Sequence, residues 1–255
     1  MPTFRADGLS VAARRPEALA HRGASAYAPE NTTASFDLAL AMGAHGIETD
    51  LRATRDGTVV LVHDAAVDRI TDGCGDVAAL TFREIQGLDA GRWFHPRVAG
   101  LRAPDLVSFL RAYGGRTTLE LELKAAAAIE PSLDAVRAHG AGIVTFTSFR
   151  YALLETVRRH APSARIGWLV DRVTVDVLAG LRALRGVQIC PAIARLTADH
   201  VRIAHDWGLR VRVWGVEDRI DAWRAAVCRA VGATVDDPDL FDRLPLPRPA
   251  SMRRG

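Results

Sequence analysis

Short apolar, β-branched segments alternate along the chain with stretches whose apolar residues recur at helical spacing, the pattern of strand–helix units repeated around a parallel sheet. The strand-like segments are Leu19–Arg22, Gly46–Leu51, Thr118–Lys124, Ile143–Phe149, Arg165–Val170, Val187–Ile193, Arg210–Val216 and Ala233–Asp236. Helical spacing runs through Ala34–Met42, Tyr151–His160, Ala198–Trp207 and Ile220–Val231. Eight such strands in 255 residues predict an α/β chain closed into a (β/α)8 TIM barrel.

The alternation is interrupted once, from Ala53 to Ala103, after the second strand. Arg55-Asp56-Gly57 supplies a turn before a strand-like Val59–His63, and Gly73, Gly75, Gly87, Gly91 and Pro96 then punctuate a segment with one helical stretch at Phe82–Gln86. About 50 residues are too few for an independent core, so a small insertion over the barrel mouth is expected. Residues 1–17 read as an N-terminal extension, 18–241 as the barrel and 242–255, with three prolines and a terminal Arg-Arg-Gly, as a mobile tail.

Composition narrows the class of partner. With 49% hydrophobic and 25% charged residues the chain has an ordinary globular balance. It lacks any apolar run of the ~18 residues that a spanning helix requires. Residues 1–20 carry Arg5, Arg14 and Arg15 without an apolar signal core, so a cytoplasmic chain with no stable membrane insertion is expected. The net charge is +3, but 33 basic residues face 30 acidic ones without a basic run, which argues against a nucleic-acid partner. Cys74, Cys190 and Cys228 are odd in number, far apart and without metal-ligand spacing, and read as structural. Lys124 is the single lysine beside 32 arginines, and Asn31 is the single asparagine. In a sequence so biased, these survivors mark positions where the chemistry of the side chain matters.

Chemistry in such a barrel belongs to the C-terminal ends of the strands. The first strand ends in His21-Arg22-Gly23 and the second in Glu48-Thr49-Asp50. Glu48 and Asp50 share one side of their strand, about 7 Å apart by strand rise. Glu120, Glu122 and Lys124 share a face of the third strand, with leucines on the other, which predicts a polar barrel centre. Glu48, Asp50 and Glu122 thus converge on one hard, oxygen-preferring divalent cation, Mg²⁺ or Ca²⁺. Glu120, if paired with an arginine, is structural. His21 and His63 each end an apolar strand beside polar neighbours and suit an acid–base pair. The other six histidines, on predicted helices or loops, read as structural.

In order along the chain, His21-Arg22-Gly23, Pro29-Glu30-Asn31-Thr32, Glu48-x-Asp50, His63-Asp64 and Glu122-x-Lys124 resemble the signature of the glycerophosphodiester phosphodiesterase family. The similarity continues through Thr71-Asp72-Gly73, Leu88-Asp89-Ala90-Gly91, Ser148-Phe149, Ile166-Gly167-Trp168-Leu169 and the strand around Trp214, from about residue 19 to 240. It implies metal-dependent hydrolysis of a small-molecule phosphodiester, such as glycerophosphocholine or glycerophosphoethanolamine, to sn-glycerol 3-phosphate and an alcohol. His21 and His63 would be the acid and base, in either assignment. Arg22 and Lys124 would bind the phosphate, Trp214 would contact substrate, and Glu30 would support the site from behind. Asn31-Thr32-Thr33 fits a glycosylation acceptor but, without a secretory signal, is expected to start the first helix. The chain departs from the family pattern at Trp214-Gly215-Val216-Glu217 and at Glu120, where asparagines are usual. The rival reading is a lysophospholipase D-like activity on the same barrel, its acyl groove built partly from Trp93, Phe94 and Trp214.

Overall fold

The computed structural model describes residues 15–139 and 142–244. The expected N-terminal extension and tail lie, apart from residues 15–17 and 242–244, outside the described residues. In chain order the elements are β1 (Glu17–His21), α1 (Thr33–Ala41), β2 (Gly46–Ala53), β3 (Val59–Leu61), α2 (Phe82–Gln86), α3 (Leu106–Tyr113), β4 (Thr118–Leu123), α4 (Ile129–His139) and β5 (Val144–Ser148). They continue as α5 (Tyr151–His160), β6 (Arg165–Val170), α6 (Val175–Ala183), β7 (Gln188–Pro191), α7 (Ala198–Asp206), β8 (Arg210–Val216), α8 (Arg219–Val227) and β9 (Gly232–Val235). All strands but β3 pair in parallel, β1 with β2 and then β4 through β9, and β9 returns to β1. The result is the expected closed barrel of eight parallel strands, with helices outside it. β3 lies antiparallel on the end of β2 and begins the insertion. Among the described residues no helix is long and apolar enough to cross a membrane.

Strand alternation separates oil from charge. Leu119, Leu121 and Leu123 face outwards into a buried cluster with Phe36, Phe109 and Tyr113, whose rings meet edge to face. Each buried leucine contributes roughly 1.5–3 kcal/mol of transfer free energy. A second cluster around Ile189, Val211, Val213 and Ala225 covers the other half of the barrel. The insertion carries a small apolar cluster of its own, built from Val60, Val62, Val67, Ile70, Val77, Ile85 and Ala103.

The opposite strand face is polar. Glu120 accepts a hydrogen bond from Gln188 at 2.8 Å and lies 2.7 Å from the Arg212 guanidinium, both charges almost fully buried. Arg212 also donates to Thr234 and reaches Cys190 Sγ at 3.4 Å. Removing either half of such a buried pair would strand the other charge, so Glu120 is structural, as its pairing with an arginine implies. Arg212 and Glu120 line a small pocket of about 20 Å³ at the N-terminal ends of the strands, and Arg212 also forms part of the cavity at the C-terminal ends.

Some boundaries shift for local reasons. β1 ends at His21 rather than Arg22, because Arg22 turns into the left-handed region at φ 56°. β3 stops at Leu61, so His63 sits on the connection beyond it rather than on a strand. α8 ends at Val227 rather than Val231: Arg229 takes φ 64° and Ala230 and Val231 lead into β9.

Candidate active site

The strands converge at their C-terminal ends on a cavity of about 310 Å³, lined by every residue assigned a catalytic, metal or substrate role from sequence except Asp50, which lies buried directly beneath. Glu48 and Asp50 come from β2 and Glu122 from β4, where register puts Asp50 beside Glu122. One carboxylate oxygen from each lies within 4.8 Å of the others. All three residues are buried, and Asp50 Oδ1 has no hydrogen-bond partner. Burial, and then the charge of Asp50, push Glu48 up to about 8. Burial also raises Glu122, while Lys124 and then Arg22 overcome burial and hold Asp50 below the usual carboxylate range. A buried cluster of three carboxylate oxygens, all within 4.8 Å of one another, fits a hard divalent cation.

Two cations flank the acids. Lys124 Nζ lies 2.6 Å from Glu122 and 3.1 Å from Asp50, and Arg22 lies 3.1 Å from Asp50 and 3.0 Å from Glu30. Arg22 reaches there because the chain turns sharply after β1, through left-handed Arg22 and then Gly23 at φ 87°. A Cβ at Gly23 would collide with Ser35, so the turn needs glycine twice over.

Both histidines are backed by carboxylates. His21 Nδ1 lies 2.6 Å from Asp236, just past β9, and Ser25 donates to the same carboxylate at 2.8 Å. Burial opposes charge on His21, but the Asp236 hydrogen bond and the nearby Glu48 outweigh it and raise its pKa. His63 Nδ1 lies 2.7 Å from Asp64. Asp64 accepts from Arg69 Nε at 2.6 Å, which holds it at about 2, and Arg69 grips both oxygens of Glu30 at 2.8 Å. A chain of alternating charges therefore runs from His63 in the insertion through Asp64, Arg69, Glu30 and Arg22 to Asp50 in the barrel.

Asn31-Thr32-Thr33 does start α1: Thr32 is the cap, its side chain accepting from Ser35 N, while Asn31 has a further role beside the acids. Asn31 is 1% exposed, sits at φ 55°, donates to Asp50 Oδ2 at 3.0 Å and accepts from Thr49 at 2.7 Å. It orients a carboxylate of the acidic cluster. Its being the chain's single asparagine was the available signal. Asp236 and Arg69 also escaped sequence reading: a carboxylate one residue beyond the last strand was a faint cue, and an exposed arginine in a glycine-rich loop offers none.

Trp214 forms one wall, held by its indole N–H to the Val170 carbonyl at 3.1 Å and meeting Phe149 edge to face at 5.2 Å. Leu169, Val216 and exposed Glu217 complete that side. Trp93 and Phe94 instead pack on each other, with Arg69 lying 6.0 Å from the Trp93 ring. The apolar part of the cavity is thus Phe149, Leu169, Trp214 and Val216; of the three residues that the rival reading would use for an acyl groove, Trp214 lines it and Trp93 and Phe94 do not.

Residues 21–240 match the model of the glycerophosphoryl diester phosphodiesterase family. The chain is 32% identical over 233 residues to a glycerophosphodiester phosphodiesterase of Caldanaerobacter subterraneus subsp. tengcongensis, covering 89% of this chain and 96% of that protein. The crystal structure of a glycerophosphodiester phosphodiesterase from Agrobacterium tumefaciens superposes with a TM-score of 0.81 at 30% identity, covering 90% of this chain and 100% of that one. An Oleispira antarctica phosphodiesterase, solved in complex with the product sn-glycerol-3-phosphate, gives a TM-score of 0.83 at 26% identity, covering 89% and 95%.

Proposed function

Since this chain belongs to the glycerophosphoryl diester phosphodiesterase family, we propose that it hydrolyses glycerophosphodiesters to sn-glycerol 3-phosphate and an alcohol. The observation that carries this reading is the meeting, in one cavity, of a three-carboxylate cluster, two cations and two carboxylate-backed histidines. The product-bound Oleispira antarctica relative supports it.

Glu48, Asp50 and Glu122 would hold the divalent cation, Mg²⁺ or Ca²⁺, which when bound neutralises the non-bridging oxygens of the phosphate. Arg22 and Lys124, fixed by their carboxylate partners, present positive charge to the same oxygens. Asp236 and Asp64 engage Nδ1 of His21 and His63, so Nε2 of each ring is left to exchange a proton. One imidazole takes the proton from the attacking oxygen, and the other gives one to the departing alcohol oxygen.

Assay of the purified protein with glycerophosphocholine and lysophosphatidylcholine, with products identified by mass, tests the reading. Release of sn-glycerol 3-phosphate from the first is expected. Turnover of the lysophospholipid alone would overturn it in favour of the lysophospholipase D-like activity.

Lys124 gives a sharper expectation. It is 13% exposed in its side chain and wedged between two carboxylates, where a compact ammonium is not interchangeable with a planar guanidinium. Lys124→Arg is expected to lower kcat/KM by about tenfold, or ~1.4 kcal/mol of transition-state stabilisation. Unchanged kcat/KM would make the lone lysine a compositional accident.

A further inference from the structure

One wall of the cavity is built by an irregularity in β8, which lies across the barrel from β4 and Lys124. Arg212 pairs with Gly232 and Val213 with Ala233, but the next pair is Val216 with Val235, so Trp214 and Gly215 together oppose the single residue Thr234. Gly215 takes φ 73° at this bulge, a conformation glycine adopts at little cost. The extra residue resets the alternation of the strand. Val213 and Val216, three positions apart, both join the apolar cluster behind the barrel, Val216 at the end of the strand also touching the cavity, and the following residue, Glu217, lines the cavity with Trp214.

The cavity is lined by four carboxylates, Glu48, Glu122, Asp236 and Glu217. Asp236 is engaged by His21, Glu122 by Lys124, and Glu48 accepts from the Arg22 backbone N–H at 3.3 Å. Glu217 is exposed and, among the described residues, is the one of the four left for a ligand. It adjoins the Trp214–Phe149 pair, whose Phe149 ring is 46% exposed. Aromatic faces beside a carboxylate recognise a diffuse, weakly hydrated cation.

We infer that Glu217, Trp214 and Phe149 form a subsite for an ammonium group on the alcohol half of the diester, so that substrates whose alcohol carries such a cation are preferred. This rests on the diesterase reading of the preceding subsection. With the phosphate held by Arg22 and Lys124, an ammonium is repelled from those cations and drawn to the carboxylate and aromatic rings of the β8 wall. A two-carbon spacer, as in choline or ethanolamine, separates phosphate from ammonium within the same cavity.

The test compares kcat/KM for glycerophosphocholine and glycerophosphoethanolamine with that for glycerophosphoglycerol, whose alcohol is neutral, in the unmodified protein and in Glu217→Gln and Glu217→Lys. The cationic-to-neutral ratio is expected to fall about threefold in Glu217→Gln, the scale of one exposed charge pair, and further in Glu217→Lys. If only glycerophosphocholine loses its advantage, the aromatic faces and a quaternary ammonium dominate; if both do, the charge does, and either result supports the subsite. Ratios in both variants within the error of the unmodified value would overturn it while leaving the diesterase reading intact. Failure of the unmodified protein to cleave any of the three diesters would overturn that reading and the subsite with it.

Discussion

His21→Ala and His63→Ala are each expected to lose at least ~10²-fold in kcat on glycerophosphocholine, the usual cost of removing a general acid or base. Each ring is held at Nδ1 by its own carboxylate, Asp236 at 2.6 Å and Asp64 at 2.7 Å, so neither can stand in for the other. Leaving-group chemistry separates their roles. A nitrophenyl ester departs without protonation, so it should restore the variant that lacks the acid far more than the one that lacks the base. Thermal unfolding recorded alongside shows whether the barrel persists. Folded variants with near-unmodified rates would remove both histidines from the mechanism.

Removal of divalent cations is expected to abolish turnover, and Mg²⁺ or Ca²⁺ to restore it. Three buried carboxylates each place one oxygen within 4.8 Å of the others. Burial and mutual repulsion raise Glu48 to about 8, a cost that a bound cation relieves. Binding should therefore also raise the thermal midpoint, because a ligand held by the folded state alone stabilises it by mass action. Glu48→Gln should reduce that shift as well as the rate. Full activity after exhaustive chelation, with no metal found by elemental analysis and no shift on adding one, would refute the metal role.

Sequence periodicity sufficed for the barrel because its eight strand segments stand out as short apolar runs, although helices α3 (Leu106–Tyr113), α4 (Ile129–His139) and α6 (Val175–Ala183) between them were not read. Lys124, Glu122 and Glu120 could be read as one face of one strand because side chains alternate along it. The acidic cluster was legible too, since parallel register aligns neighbouring strands and only side-chain parity was needed to bring Asp50 beside Glu122. What escaped were contacts between elements far apart in the chain. Asp236 reaches His21 across the closing seam of the barrel, and its place at the end of the last strand was only a faint local cue to that pairing. Arg69 acts through the folded path of the insertion. Asn31-Thr32-Thr33 could be read as a helix start, which Thr32 supplies, but that local signal said nothing of Asn31 reaching Asp50. The β8 bulge was hidden in a Trp-Gly pair that reads equally well as ordinary strand.

The layer of Glu120, Gln188 and Arg212 across the barrel makes the molecule a blind-ended vessel. Among the described residues, the active-site cavity lies on the other side of that layer, at the C-terminal ends of the strands. On the proposed diesterase reading, diester, water and both products would therefore share that mouth, and the phosphomonoester, drawn to Arg22 and Lys124 by more negative charge than the diester carries, would leave after the alcohol.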